Sequence, residues 1–193
     1  VISRPQIPYT YDDYKTLTAS TDQRYELIDG DLYMNPSPTV THQVISKNLA
    51  LLLDRHVSAA RCGIVLYAPL DVVLGEGEER SVVQPDIFFV SNERAAIVTD
   101  DEIVGAPDLV VEILSPRTAK RDVGIKKALY ARSGVREYWI VDPQLESIEV
   151  VSLGRTGHER SVRYELTDRL VSAVASGFEV PVADVFAGQP AKS

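Results

Sequence analysis

Residues 107–114 read Pro-Asp-Leu-Val-Val-Glu-Ile-Leu, a run of Val, Ile and Leu interrupted by one carboxylate, Glu112. A short, continuous, largely β-branched stretch is the pattern of a strand covered on both faces. An unpaired carboxylate inside such a strand costs several kcal/mol or stays protonated. The chain must therefore fold so that a cation or a hydrogen-bond donor meets Glu112. The segment Gln84-Pro85-Asp86-Ile87-Phe88-Phe89-Val90 repeats the arrangement, with an acid at the mouth of a second apolar strand. Downstream, residues 122–130 form a helical stretch carrying Lys126 and Lys127. Two acids on strands followed by a lysine suit metal-assisted phosphodiester chemistry.

The other elements give an α/β or α+β chain. Thr10, with Asp13 three positions on, caps a short helix from Tyr11 to about Leu17. Residues 24–28 and 31–34 flank Asp29-Gly30, the dipeptide of a tight type I′ hairpin turn. From Thr41, taken as N-cap, the spacing of Ile45, Leu49, Leu52, Leu53 and His56 predicts an amphipathic helix to about Val57. Strands are expected over 64–68, 71–74, 86–90, 109–114 and 137–141, with a charged, solvated tip at 75–80. A helix over about 120–132 separates the last two strands and suits a parallel crossover. Alternation over 147–153 and 162–166 predicts an antiparallel hairpin that closes a mixed sheet flanked by helices. With 193 residues, 45% hydrophobic, the chain is expected to be one domain with a core over about 9–186 and its least ordered parts at the two ends.

On a single strand, Asp108 and Glu112 share a face but lie about 13 Å apart, too far for one metal ion. Asp86 has no such limit. If its strand neighbours that of Glu112, the two can converge on a hard cation with oxygen ligands, magnesium or manganese. Zinc does not fit: His42, His56 and His158 are scattered, and Cys62 stands alone as a small hydrophobe rather than a reactive thiol. His42 either lines the same cleft or is satisfied by local backbone, while Tyr130, Tyr138 and Trp139 are assigned to the core. On the helix, the stripe of Ile125, Ala128 and Leu129 marks the buried side, with Lys126 on its flank and Lys127 facing solvent. Asp122, Lys126 and Tyr130 form a row at i, i+4 spacing that an exposed ion-pair stripe would also produce.

The strings YELIDGDL, SPTVTHQ, QPD, PDLVVEIL with SPRT, the spacing Asp122–Lys126–Tyr130, and GVREYWIVDP together resemble the Uma-two family of restriction-endonuclease-like domains, within the PD-(D/E)XK nuclease superfamily. The resemblance covers roughly residues 9–185. It implies a metal-dependent nuclease core in which Asp86 stands at the first metal-binding acid, Glu112 at the second, Lys126 at an active-site lysine moved onto the helix, and Glu26 at an additional acid. The lysine normally found two residues after the second acid is replaced here by Leu114. The implied activity is hydrolysis of DNA by an endonuclease using Mg2+ or Mn2+, with Lys126 orienting the attacking water and Glu26 assisting its deprotonation.

Charge qualifies this. The net charge of −8 argues against a protein that coats nucleic acid non-specifically. Residues 117–136, however, hold seven bases and one acid, a local +6 within a remainder of −14. That segment either steers a polyanion or is a solvated helix face. The alternative to the enzyme is an inert nuclease-fold module that binds nucleic acid or a protein partner, mainly as a homodimer through apolar strand edges. Neither a phosphate-binding glycine loop nor a GxSxG elbow occurs. The longest apolar stretches are strand-sized and no secretory signal is visible, so no membrane association and a cytoplasmic location are expected.

Overall fold

The computed structural model describes residues 7–153 and 160–190, so the expectation for the extreme ends of the chain falls outside the described residues. Helix α1 (Tyr11–Ala19) begins at Thr10 with a capping box: the Thr10 side chain accepts from Asp13 N and the Asp13 carboxylate accepts from Thr10 N. The hairpin β1 (Tyr25–Ile28) and β2 (Asp31–Met34) turns at Asp29 and Gly30, with φ of 52° and 83°. This is the left-handed pair that a type I′ turn requires. Helix α2 (Val40–Ala60) starts earlier than expected. Its N-cap is Thr39, not Thr41, because the Thr39 hydroxyl accepts from His42 N at 3.2 Å.

Strands β3 (Gly63–Tyr67), β4 (Val72–Leu74), β5 (Ser81–Val83), β6 (Ile87–Ser91), β7 (Ile103–Val104) and β8 (Leu109–Ile113) follow. The helical crossover consists of α3 (Ala119–Arg121), a π turn (Asp122–Lys126) and α4 (Lys127–Ser133), ended by Gly134 at φ 90°. It leads to β9 (Glu137–Asp142), and β10 (Ser147–Ser152) and β11 (Arg160–Tyr164) make the expected hairpin. A small ribbon of β12 (Arg169–Val171) and β13 (Glu179–Pro181) runs into α5 (Val182–Phe186).

The strands do not form one sheet. The six-stranded sheet has the order β11-β10-β9-β8-β6-β3, and a second sheet has the order β2-β1-β5-β4-β7. Val72, Leu74 and Val83 of β4 and β5 are buried against the back of the larger sheet, while Val73 and Val82 pack on their other face with Tyr14 of α1 and Leu27. One core lies between α2 and the six-stranded sheet, where Ile45, Leu49 and Leu53 meet Ile87, Val111 and Trp139. A second lies on the opposite face, where Phe88, Val110 and Tyr138 meet Val72, Val83, Leu129 and Tyr130, and a third, smaller one joins Tyr14 to Leu27, Val73 and Val82. Strand β8 is thus buried on both faces along its whole length, as its sequence requires. Its pairing with β9 is parallel, through the helical crossover.

Candidate active site

Strands β6 and β8 are antiparallel neighbours with Ile87 opposite Val111. One step further along that register places Asp86 across from Glu112, the condition for the two acids to converge. Odd-numbered β8 residues face α2, whereas Val110 and Glu112 face the crossover helix. Burial and that helix decide the surroundings of Glu112, which is 4% exposed. Its Oε1 accepts from Lys126 Nζ at 2.9 Å and from the Tyr130 hydroxyl at 2.7 Å.

Lys126 arrives there through the π turn. A turn with one extra residue carries Val123 and Ile125 outward, 48% and 41% exposed, and turns Asp122 and Lys126 inward. The predicted buried stripe is therefore wrong at Ile125 and Ala128, which face out, while Lys126 is more deeply buried than a flank position allows. Lys127 is half-buried rather than solvent-facing. Lys126 Nζ lies 2.8 Å from Glu26 Oε1, 2.9 Å from Glu112 Oε1 and 3.6 Å from Asp122 Oδ1. Burial alone lowers a lysine pKa, but here the charges of Glu112, Glu26 and Asp122 outweigh it and hold the amine protonated.

Glu26 comes from β1 of the other sheet and is fully buried. Its Oε1 accepts from Gln84 N at 2.9 Å, and its Oε2 lies 3.2 Å from Arg121 Nη2, which also donates to Asn35 Oδ1 at 2.7 Å. Asp86 Oδ2 accepts from Ile113 N at 2.7 Å and lies 3.1 Å from His42 Nε2. Burial is the main cause that raises Glu112 well above the ordinary carboxylate value; Lys126 opposes it, while Asp122, Asp86 and Glu26 reinforce it. Burial and the Glu112 charge likewise raise Tyr130 well above 10.0, so its phenol remains a donor.

All four residues singled out from sequence, Glu26, Asp86, Glu112 and Lys126, meet in this one region. His42 lines the cleft against Asp86, the first of its two expected readings; the structure adds Arg121 and Gln84, and Tyr130, buried in the core as expected, also donates its hydroxyl to Glu112. Asp108 stands apart: its carboxylate accepts from Ser91 N at 2.8 Å and pairs with Arg94 and Arg136 at 3.3 and 3.1 Å. The basic window is largely engaged internally, with Arg121, Lys126, Arg132 and Arg136 all in ion pairs. It is therefore not one free basic surface. A cleft of about 980 Å³ reaches the acids, with Lys47 and Arg117 among its lining residues.

Among the described residues, Asp86 Oδ1 and Glu112 Oε2 have no hydrogen-bond partner. They are hard donors on adjacent strands, suited to magnesium or manganese. Among the described residues no three His, Cys, Asp or Glu side chains are gathered into a complete metal cage. Also among the described residues, no helix is long and apolar enough to cross a membrane.

The chain is similar to an uncharacterized protein, slr1290, of Synechocystis sp. (strain ATCC 27184 / PCC 6803 / Kazusa), 27% identical over 162 residues that cover 83% of each chain. Its fold matches the crystal structure of a putative nuclease belonging to DUF820 from Anabaena variabilis ATCC 29413, with a TM-score of 0.76 and 23% identity over 93% of this chain and 98% of that one. The family described as "Uma2: Putative restriction endonuclease" matches residues 11–183. With nearly the whole chain matched and the restriction-endonuclease-like arrangement of mixed sheets and flanking helices in place, this protein belongs to the Uma2 family.

Proposed function

We propose that the protein is a metal-dependent endonuclease that hydrolyses DNA phosphodiester bonds, with Asp86 and Glu112 as ligands for magnesium or manganese. The observation that carries this is a charge imbalance. Three buried carboxylates, Glu26, Glu112 and Asp122, and the half-buried Asp86 share this region with the two cations Lys126 and Arg121, and the other three acids all raise the pKa of Glu112. This excess of acids, with burial holding Glu112 above the ordinary carboxylate range, favours an additional cation beside them. A strongly perturbed acid in a cleft is also a mark of functional sites.

A bound dication supplies Lewis acidity and an activated nucleophile. The chain's own residues do the rest. Ile113 N–H and His42 fix the orientation of Asp86, and Tyr130 and Lys126 fix Glu112. Lys126, which lines the cleft, brings a permanent positive charge to the side of a phosphate as negative charge builds up on its oxygens. Glu26 and Arg121 hold that lysine in place, so Glu26 acts through Lys126 as well as being an acid near the attacking water. Leu114, where a lysine is usual, leaves this role to Lys126 alone. The family description and the name of the structural neighbour support the nuclease reading.

The test is cleavage of supercoiled, linear and single-stranded DNA with magnesium or manganese by the wild type, Glu112→Gln and Lys126→Ala. Metal-dependent cutting that both substitutions abolish is expected. Cutting that survives in Glu112→Gln, or no cutting by a folded wild type, overturns the proposal and favours a binding module.

A further inference from the structure

The cleft has a side that the phosphodiester chemistry does not use. Tyr67 ends β3, the edge strand of the six-stranded sheet, and its side chain is 64% exposed. It pairs with Ile87, next to Asp86, and the following residue, Ala68, donates its N–H to the Asp86 carbonyl at 3.2 Å. The ring lies on the α2 face of that edge strand, outside the core clusters, and lines the same cleft as Asp86. Leu51, 62% exposed, and Lys47, one helical turn before it, extend this apolar and basic wall along α2. Arg117 lines the cleft from the loop after β8. Among the described residues neither Lys47 nor Arg117 has an ion pair or hydrogen bond.

The floor is deep. Glu112 and Lys126 are 4% and 2% exposed, beneath walls formed by residues 35–39, α2, 67–69 and 115–118. A duplex keeps its bases paired and stacked on one another, so it offers no base face to an exposed ring on the cleft wall. A single strand bends into the cleft and leaves its bases unstacked, ready for an aromatic face. A basic track for the backbone beside an exposed ring is the general design for holding single strands.

Resting on the nuclease reading, we infer that the cleft takes a single strand of DNA, with the base beside the scissile phosphate stacked on Tyr67 and the backbone tracked by Lys47 and Arg117. Loss of one base–aromatic stack lowers affinity roughly 5- to 150-fold. Fluorescence anisotropy with a labelled 15-nucleotide strand and with the same sequence as a blunt duplex, in calcium, reads binding. Cleavage of both in magnesium reads the chemistry. The single strand should bind at least tenfold tighter than the duplex and be cut faster, with affinity falling at least fivefold in Tyr67→Ala and restored in Tyr67→Phe. Duplex bound and cut as well as the single strand, or a Tyr67→Ala protein that binds like the wild type, overturns this inference and leaves the nuclease reading intact. Tyr67-dependent strand binding without cutting of either DNA supports the inference and overturns the nuclease reading. No binding to either DNA overturns the inference.

Discussion

Replacing Lys126 by methionine removes one charge of similar length and leaves Glu26, Glu112 and Asp122 facing one another without their shared cation. The side chains of Lys126, Glu26 and Glu112 are 3%, 0% and 5% exposed, so solvent screens these pairs little. Breaking a buried ion pair from one side costs about 3–5 kcal/mol. In a chain of this size, that lowers the melting temperature by roughly 6–20 °C. Glu112→Gln should act in the opposite direction at neutral pH. It removes one of the surplus negative charges, and the amide oxygen still accepts from Lys126 and Tyr130, so stability is unchanged or gains about 1 kcal/mol. The sign can be followed with pH. The folded carboxyl of Glu112 titrates above its unfolded value near 4.5. Its contribution is fully present below that value and is lost as pH rises through the folded pKa. The advantage of Glu112→Gln over the wild type should therefore be smallest near pH 4.5 and grow upward from there. Urea unfolding of the three proteins between pH 4.5 and 8 measures all of this. Equal destabilisation by both substitutions, or a loss below about 1 kcal/mol for Lys126→Met, would refute the charge argument.

Asp108→Ala should cost about 1.5–3 kcal/mol, because Ser91 N, Arg94 and Arg136 lose a buried acceptor, while the residual folded protein cuts DNA at the wild-type rate. A drop in kcat beyond the folded fraction would place Asp108 in the site. His42→Ala leaves the cores intact but frees Asp86 from the group 3.1 Å away, so manganese affinity measured by calorimetry should fall about 10- to 100-fold with little change in melting. Metal affinity should also rise with pH as protons leave Glu112, then level off once it is ionised; a flat profile above pH 4.5 contradicts the raised pKa.

The fold was legible where pattern and turn chemistry agree. The Asp29-Gly30 hairpin, the doubly buried strand around Glu112 and the parallel crossover all follow from short-range signals. The split into two sheets does not, because the apolar run of β4 marks it as buried without showing against what, and the short β5 carries no signal of its own. Glu112 was legible as a site residue since an acid in an apolar strand demands a partner. Lys126 was found by its spacing, yet its depth comes from a π turn that 100° periodicity cannot register. His42 and Asp86 meet across 44 residues, and Arg121 of the crossover helix meets Glu26 of β1, so nothing local marks either pair.

The most direct test of the metal site is anomalous scattering from manganese-soaked crystals of the wild type and Asp86→Asn. The expected result is a peak in contact with the Asp86 and Glu112 carboxylates that disappears in Asp86→Asn. A peak elsewhere, or none between these two side chains in a crystal equilibrated with manganese, would contradict a metal-dependent centre at this place.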